Sequence, residues 1–306
     1  MQGSQDNLWT PIGTESNRFQ GEYDGQDNSV SNLYIDSDGG ATGLFAYNSG
    51  TIKNLGVESG KIKGKDRTAA LVGNNENGKI EMCYNKAQVE GEGYDIGGVC
   101  GISTNGEITK CYNTGNVTCY CTKDFARACG ICGGIYATVL NLCYNTGNIT
   151  TYTDYANCRA GGITNTSFNE KSQSTISNCY NIGTIKIVPS GEEVRGGSVA
   201  AGVVTQVEGT AIVENCYNIG ETIVEGVEDA LRNAGIAGTV TPTATVKNSY
   251  WLTGVSPSGV GDYSTASVEV YEKTASQMKN IASSLGSAFK KDTNNINNGY
   301  PVLSWQ

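Results

Sequence analysis

Gly106–Val117 reads "GEITKCYNTGNV", and its centre recurs down the chain. The string CYN stands at Cys83–Asn85, Cys111–Asn113, Cys143–Asn145, Cys179–Asn181 and Cys216–Asn218, with a decayed copy at Ser249-Tyr250-Trp251. Three residues before each cysteine is an apolar anchor: Ile80, Ile108, Leu140, Ile176, Val213, and Val246 for the decayed copy. The pairing extends upstream as Ile52 with Leu55 and Val30 with Leu33, giving eight units whose anchors lie 22 to 37 residues apart. A period in that range is the mark of a solenoid.

Each unit carries two further apolar marks. One follows small residues (Leu44, Leu71, Val99, Ile131, Ile163, Val203, Ile236), and the other follows the CYN turn (Ile62, Val89, Val117, Ile149, Ile185, Ile223). Three short strand signals per unit, separated by Gly and Asn, predict an all-β parallel β-helix of about eight three-strand coils. Stacked at the usual strand spacing, eight coils span about 35–40 Å.

Alternation along a strand assigns side-chain direction. The cysteine column (Cys83, Cys111, Cys143, Cys179, Cys216) and the asparagine column (Asn85, Asn113, Asn145, Asn181, Asn218) point inward. The chain must then bend or bulge between anchor and cysteine. The tyrosines Tyr84, Tyr112, Tyr144, Tyr180, Tyr217 and Tyr250 point out, as an exposed ladder. The glycines two residues after the last four Asn (Gly115, Gly147, Gly183, Gly220) are expected to supply a positive φ. The columnar placement of the cysteines favours interior thiols over a disulfide scaffold. In the neighbouring corner loops, a bridge from Cys158 to Cys121 or to Cys129 is compatible with an oxidising compartment, and a four-Cys zinc site is disfavoured by irregular spacing.

The unit grows in length mainly at one corner, so loops 118–128, 150–160, 186–200 and 224–233 should form a ridge on one edge. Loops on one face of a solenoid are where function concentrates. The ridge carries Asp124, Arg127, Asp154, Arg159 and Arg195. Residues 1–28 read as an N-terminal cap with Trp9, Phe19 and Tyr23 as plugs, 29–251 as the repeats, and 252–306 as a cap within the same domain. In that cap, Met278, Ile281, Leu285 and Phe289 have helical spacing after a Thr274 N-cap, and 298–305 reads as a final strand.

Composition excludes several functions. The net charge of −9 leaves no basic stripe for nucleic acid or an anionic membrane surface. No apolar run approaches ~20 residues, so no membrane insertion is expected. The chain has no histidine, which removes the commonest general base and metal ligand. No cofactor and no metal are expected. "CGIC" at 129–132 lies in a strand, away from a helix N-terminus, and "DSDGG" at 36–40 lacks the later ligands of a calcium loop.

The strings "FQGEYDG", "GLFAYNSGTIKNLGV", "GGVCGISTNGEITKCYNTGNV" and "NNGYPVLSWQ" resemble the GLUG-motif repeats of bacterial surface proteins. The resemblance implies a right-handed β-helix, the hand expected of parallel crossovers. It also implies an exported, surface-attached adhesin, in some relatives beside immunoglobulin A-cleaving metallopeptidase domains, and it supplies no catalytic residues. Secretion with a signal peptide already removed fits this reading. The expected function is therefore non-catalytic binding, as a monomer, of a host or bacterial-surface glycan or protein. The candidate contacts are the Tyr face (Tyr84, Tyr112, Tyr144, Tyr180, Tyr217) and the corner residues. The alternatives are a polysaccharide-acting β-helix enzyme and a passive cell-surface spacer. An enzyme of that kind needs paired carboxylates or a base with acidic ligands.

Overall fold

In the computed structural model the anchors fall into register, coil on coil. Ile52 pairs with Ile80, Ile80 with Ile108, Ile108 with Leu140, Leu140 with Ile176, Ile176 with Val213, and Val213 with Val246. The structure describes residues 8–121, 125–153, 157–166, 173–190, 197–226, 232–263 and 265–306. Among these, three long parallel sheets form the walls of a parallel β-helix. Sheet 1 holds the anchor strands and the CYN strands, sheet 2 the strands around the small residues, and sheet 3 the strands after the CYN turn. The core is the continuous column of apolar residues between them, from Leu33 to Val260.

The bend inside sheet 1 has a local cause. The residue before each column position adopts left-handed backbone: Asn54, Met82, Lys110, Leu142, Asn178, Asn215 and Asn248 all have φ between 45° and 57°. This turns the chain so that anchor and cysteine both face the core. The thiol then adds a bond to the carbonyl two residues before it, which at Asn141 and Ser177 already accepts a backbone N–H from the preceding coil. Cys83 Sγ donates to Glu81 O at 3.2 Å, Cys143 Sγ to Asn141 O at 3.2 Å, and Cys179 Sγ to Ser177 O at 3.0 Å. Ser249 Oγ makes the same bond to Lys247 O at 3.0 Å, which explains why serine can replace cysteine in the decayed copy. The column is thus a row of small donors as well as apolar filler.

All eleven cysteines are buried thiols. No bridge joins Cys158 to Cys121 or Cys129. All three are free, buried thiols, and Cys158 receives a bond from Thr153 Oγ1 at 3.2 Å. Burial raises the Cys111, Cys129 and Cys179 thiols above their ordinary range. The native protein should therefore react only slowly with a thiol-exchange reagent, and release all eleven thiols in denaturant. Rapid native reaction of several cysteines would contradict this packing.

The asparagine column forms a buried amide ladder. Each Nδ2 donates at 2.8 Å to the Oδ1 one coil on, from Asn85 through Asn113, Asn145 and Asn181 to Asn218. Each Nδ2 also donates to the carbonyl two residues ahead, as Asn145 does to Gly147 O at 2.8 Å. The glycines that follow do not have positive φ, contrary to expectation. They are required by space. A Cβ on Gly147 would lie 2.0 Å from Gly115 O, and one on Gly183 2.0 Å from Gly147 O. Successive corners stack backbone on backbone there.

Two column assignments change. Leu33 belongs to sheet 3, opposite Gly60, while Tyr23 stacks on Ile52 and Val30 on Val57. A longer first strand, Glu22–Val30, shifts the first coil relative to the repeat. In the last copy Thr222, not Ile223, lies below Ile185. Thr222 keeps the two-residue offset from Gly220 and is buried, so spacing from glycine outweighs hydrophobicity.

The repeat continues past Trp251. Ser258–Tyr263 adds a rung to sheet 2 and Ser267–Lys273 one to sheet 1. The C-terminal segment then turns back along the stack. Its helix is only Ala275–Met278, started by a capping box between Thr274 and Gln277. Val302–Leu303 closes it as an antiparallel pair with Phe289–Lys290. At the other end Trp9 donates its indole N–H to Leu44 O at 3.2 Å, and Phe19 and Tyr23 pack on Phe45.

Candidate binding surface

The Tyr ladder is regular but is not the exposed face expected. Rings from Tyr84 to Tyr217 stack at 4.9–5.0 Å between centroids and within 9° of parallel. The returning C-terminal segment lies over its far half. Tyr180 is 1% and Tyr217 0% exposed, packed with Met278, Ile281, Leu285, Phe289 and Leu303, and Tyr250 joins the same cluster. Tyr217 hydroxyl bonds Pro301 O and accepts from Asn297 Nδ2, and Tyr180 hydroxyl bonds Gln306 Oε1. Trp305 tilts over Tyr144 at 5.9 Å and Tyr112 at 6.4 Å. Burial pushes the Tyr144, Tyr180 and Tyr217 phenols up. A stack of apolar rings is too large an unpaired surface to leave in water, and the cap removes it. Tyr84 and Tyr112 stay partly open, with Tyr84 held by Glu58 Oε2 at 2.9 Å.

A second tyrosine pair takes the exposed role. Tyr120 and Tyr152 lie side by side on neighbouring strands of sheet 3 and pair in register. Their rings stack at 5.4 Å and 10°, with 47% and 36% of each residue exposed. They stand at the corner where the loops lengthen. The signal was present in sequence, because Val117–Tyr120 and Ile149–Tyr152 occupy the same place in two loops of equal length. Round the same corner, Phe125 is exposed and the Arg159 guanidinium lies 5.9 Å over its ring. Asp124, Asp154 and Arg195 lie outside the described residues.

Arg127 and Arg159 separate in role. They are adjacent in one column of sheet 2, in register with each other and with Val199. Arg127 Nε stands 3.0 Å from Asp95 Oδ1, its N–H not aimed at the oxygen, so the contact is a close ion pair without a directed hydrogen bond. Asp95 is fully enclosed. Its desolvation raises the carboxyl, and Arg127 and Arg67 oppose that rise. Gly134 leaves room for it, since a Cβ there would lie 2.5 Å from Asp95 Oδ1. Arg127 is therefore structural. Among the described residues no carboxylate lies within ion-pair distance of Arg159; its Nη1 donates to Asn165 Oδ1 at 3.5 Å, and its Nε is buried without a hydrogen-bond partner among them.

Among the described residues no group of three or more Cys, Asp or Glu is placed to hold a metal ion, and no helix is long and apolar enough to cross a membrane.

Known proteins place this architecture. No curated protein matches the chain. The solved structure of a Bacteroides ovatus protein, described as a candidate immunoglobulin A1 protease, superposes with a TM-score of 0.58. The match covers 97% of this chain and 81% of that one at 18% identity, and it establishes shared fold. Residues 92–118, the stretch that contains the decisive repeat, match the GLUG motif.

Proposed function

We propose that this β-helix is a non-catalytic binding module, exported and displayed at a cell surface, that holds a glycan or protein at its corner ridge. The observation that carries this reading is the stacked, exposed Tyr120–Tyr152 pair. Flat rings held rigidly by paired strands offer a preformed platform, so little ordering entropy is lost on binding. The buried half of the Tyr ladder cannot serve this purpose. The likeness to a candidate immunoglobulin A1 protease supports a bacterial surface setting. A zinc peptidase centre built on a histidine pair has no residues in this chain.

The test is a binding screen of the chain against host and bacterial glycans, mucin and matrix proteins, with polysaccharide length followed in parallel. Saturable binding without shortening is expected. Tyr120→Ala combined with Tyr152→Ala should weaken it by about 30-fold, the ~2 kcal/mol of an aromatic hot spot. The melting temperature should hardly move, because both rings lie outside the core. Undiminished binding by the double variant would refute the ridge, and polysaccharide shortening would make the chain an enzyme.

A further inference from the structure

Past Arg159 the sheet 2 column continues through Val199 towards Arg232. Ala200 pairs with Asn233, which places Arg232 on the rung after Val199. Arg159 and Arg232 are thus two rungs apart, about 9.6 Å along the stack. Val199 sits between them, short and apolar, where a long side chain would fill the gap. The result is a groove of about 290 Å³ on the outer face, lined by Arg159, Arg232, Gln206, Thr239, Asp262 and Tyr263. Gln206, Thr239 and Asp262 follow one another in register across its floor. Tyr263, 53% exposed, stands at the rim.

The cations in this groove are poorly satisfied. Among the described residues Arg159 has a buried Nε without a hydrogen-bond partner, a long contact to a neutral amide and the ring of Phe125 beneath its guanidinium. Burial, with Arg127 and Arg232 nearby, pulls its guanidinium down to about 10, against the opposing pull of Glu208. Glu208 is itself engaged by the Gln206 amide. Arg232 reaches Asp262 Oδ2 at 3.5 Å and Gly197 O at 3.4 Å, both at the long limit. Mostly buried arginine without a carboxylate partner is costly unless something supplies the charge. Guanidinium forks match planar and tetrahedral oxyanions and bind them with paired, charge-assisted bonds.

We propose that this groove receives the anionic group of an acidic sugar, a carboxylate or a sulfate ester, between Arg159 and Arg232, with the sugar ring against Tyr263. The proposal rests on the reading of the chain as a binding module and names the ligand class. Thr239 supplies a neutral hydroxyl for the hydroxyls of the ring.

The test uses calorimetric titration of the full chain with a galacturonate tetramer, a sulfated galactose oligomer and a neutral galactose tetramer. At least one acidic oligomer should bind, more weakly as salt rises. Arg159→Gln and Arg232→Gln should each weaken it about tenfold or more, with Arg159→Lys in between, while the neutral tetramer is indifferent to all three. Preference for the uronate identifies a carboxylate guest, and preference for the sulfated oligomer a sulfate ester; either supports the groove. Thermal melts check that the variants are folded. Acidic oligomers that bind no better than the neutral one, or equally well to both glutamine variants, would overturn the proposal. If Tyr120 and Tyr152 still govern neutral glycan binding in that event, the module stands and only the anion groove falls. Loss of every glycan interaction removes both.

Discussion

Asn145→Asp should destabilise the protein by about 4 kcal/mol or more at pH 7, from the change of one nitrogen to oxygen. Asn145 uses its whole amide. Oδ1 accepts from Asn113 Nδ2 at 2.8 Å and from the Gly147 N–H at 3.2 Å. Nδ2 donates to Asn181 Oδ1 and to Gly147 O, both at 2.8 Å. The residue is fully buried. A carboxylate there keeps the two accepted bonds but turns two donations into oxygen facing oxygen. Each orphaned buried acceptor costs about 1–3 kcal/mol, and the uncompensated charge adds more. The loss cannot relax locally, because Gly115, Gly147 and Gly183 hold the coils backbone on backbone at this corner.

The same substitution predicts a pH dependence of known sign. An introduced carboxyl in this site has a folded pKa above its unfolded value, since burial favours the neutral acid. The folded state then binds the proton more tightly. Stability is highest below the ordinary carboxylate range and falls as pH rises through the raised folded value. Urea melts from pH 4 to pH 8 should show the variant approaching wild type in acid and diverging from it at neutrality. Equal stability at pH 7 would mean that the ladder bonds contribute nothing net.

Arg127→Met should cost about 3–5 kcal/mol, the usual result of leaving one partner of a buried ion pair alone. The carboxylate left behind is Asp95, only 4% exposed and set in left-handed backbone at φ 63°. Arg67 flanks it on the other side of the column but is not its close partner. Combining Arg127→Met with Asp95→Leu should recover a large part of the loss, because the pair's worth lies mainly in not stranding either charge. A chemical-denaturation cycle measures this. Additive losses in the double variant would show that the two side chains act separately. Asp95 also has a signed pH effect in the wild type. Its folded carboxyl is raised, so its contribution is more favourable below the ordinary aspartate range and declines as pH climbs through the raised value. In Arg127→Met the decline should steepen and extend to higher pH.

Arg127 and Arg159 occupy equivalent places in the repeat, yet one neutralises a buried acid and the other opens onto a groove. Asp95 and Val199, one coil on either side, make the difference. In a solenoid the role of a side chain is set by the coils above and below it as much as by its own sequence.

The repeat alone determined the parallel β-helix, its interior columns and the bend before each cysteine. These follow from alternation and from spacing to a fixed glycine, which are local properties copied from coil to coil. Ile108 aligns with Ile80 and Leu140, and Asn113 with Asn85 and Asn145, because each coil repeats the same backbone path. Where a segment departed from that path, as at Glu22–Val30, hydrophobic pattern alone put Leu33 in the wrong column. Tertiary structure decided what covers the outside. Alternation gave the tyrosines an outward direction, but only the return of a segment 72 to 123 residues downstream buries Tyr180 and Tyr217 beneath Phe289 and Leu303. It likewise decided that Tyr120 and Tyr152 remain open, that Asp95 meets Arg127, and that Arg159 and Arg232 face one groove. Such outcomes depend on contacts between residues far apart in the chain, and the periodicity of a single coil carries no record of them.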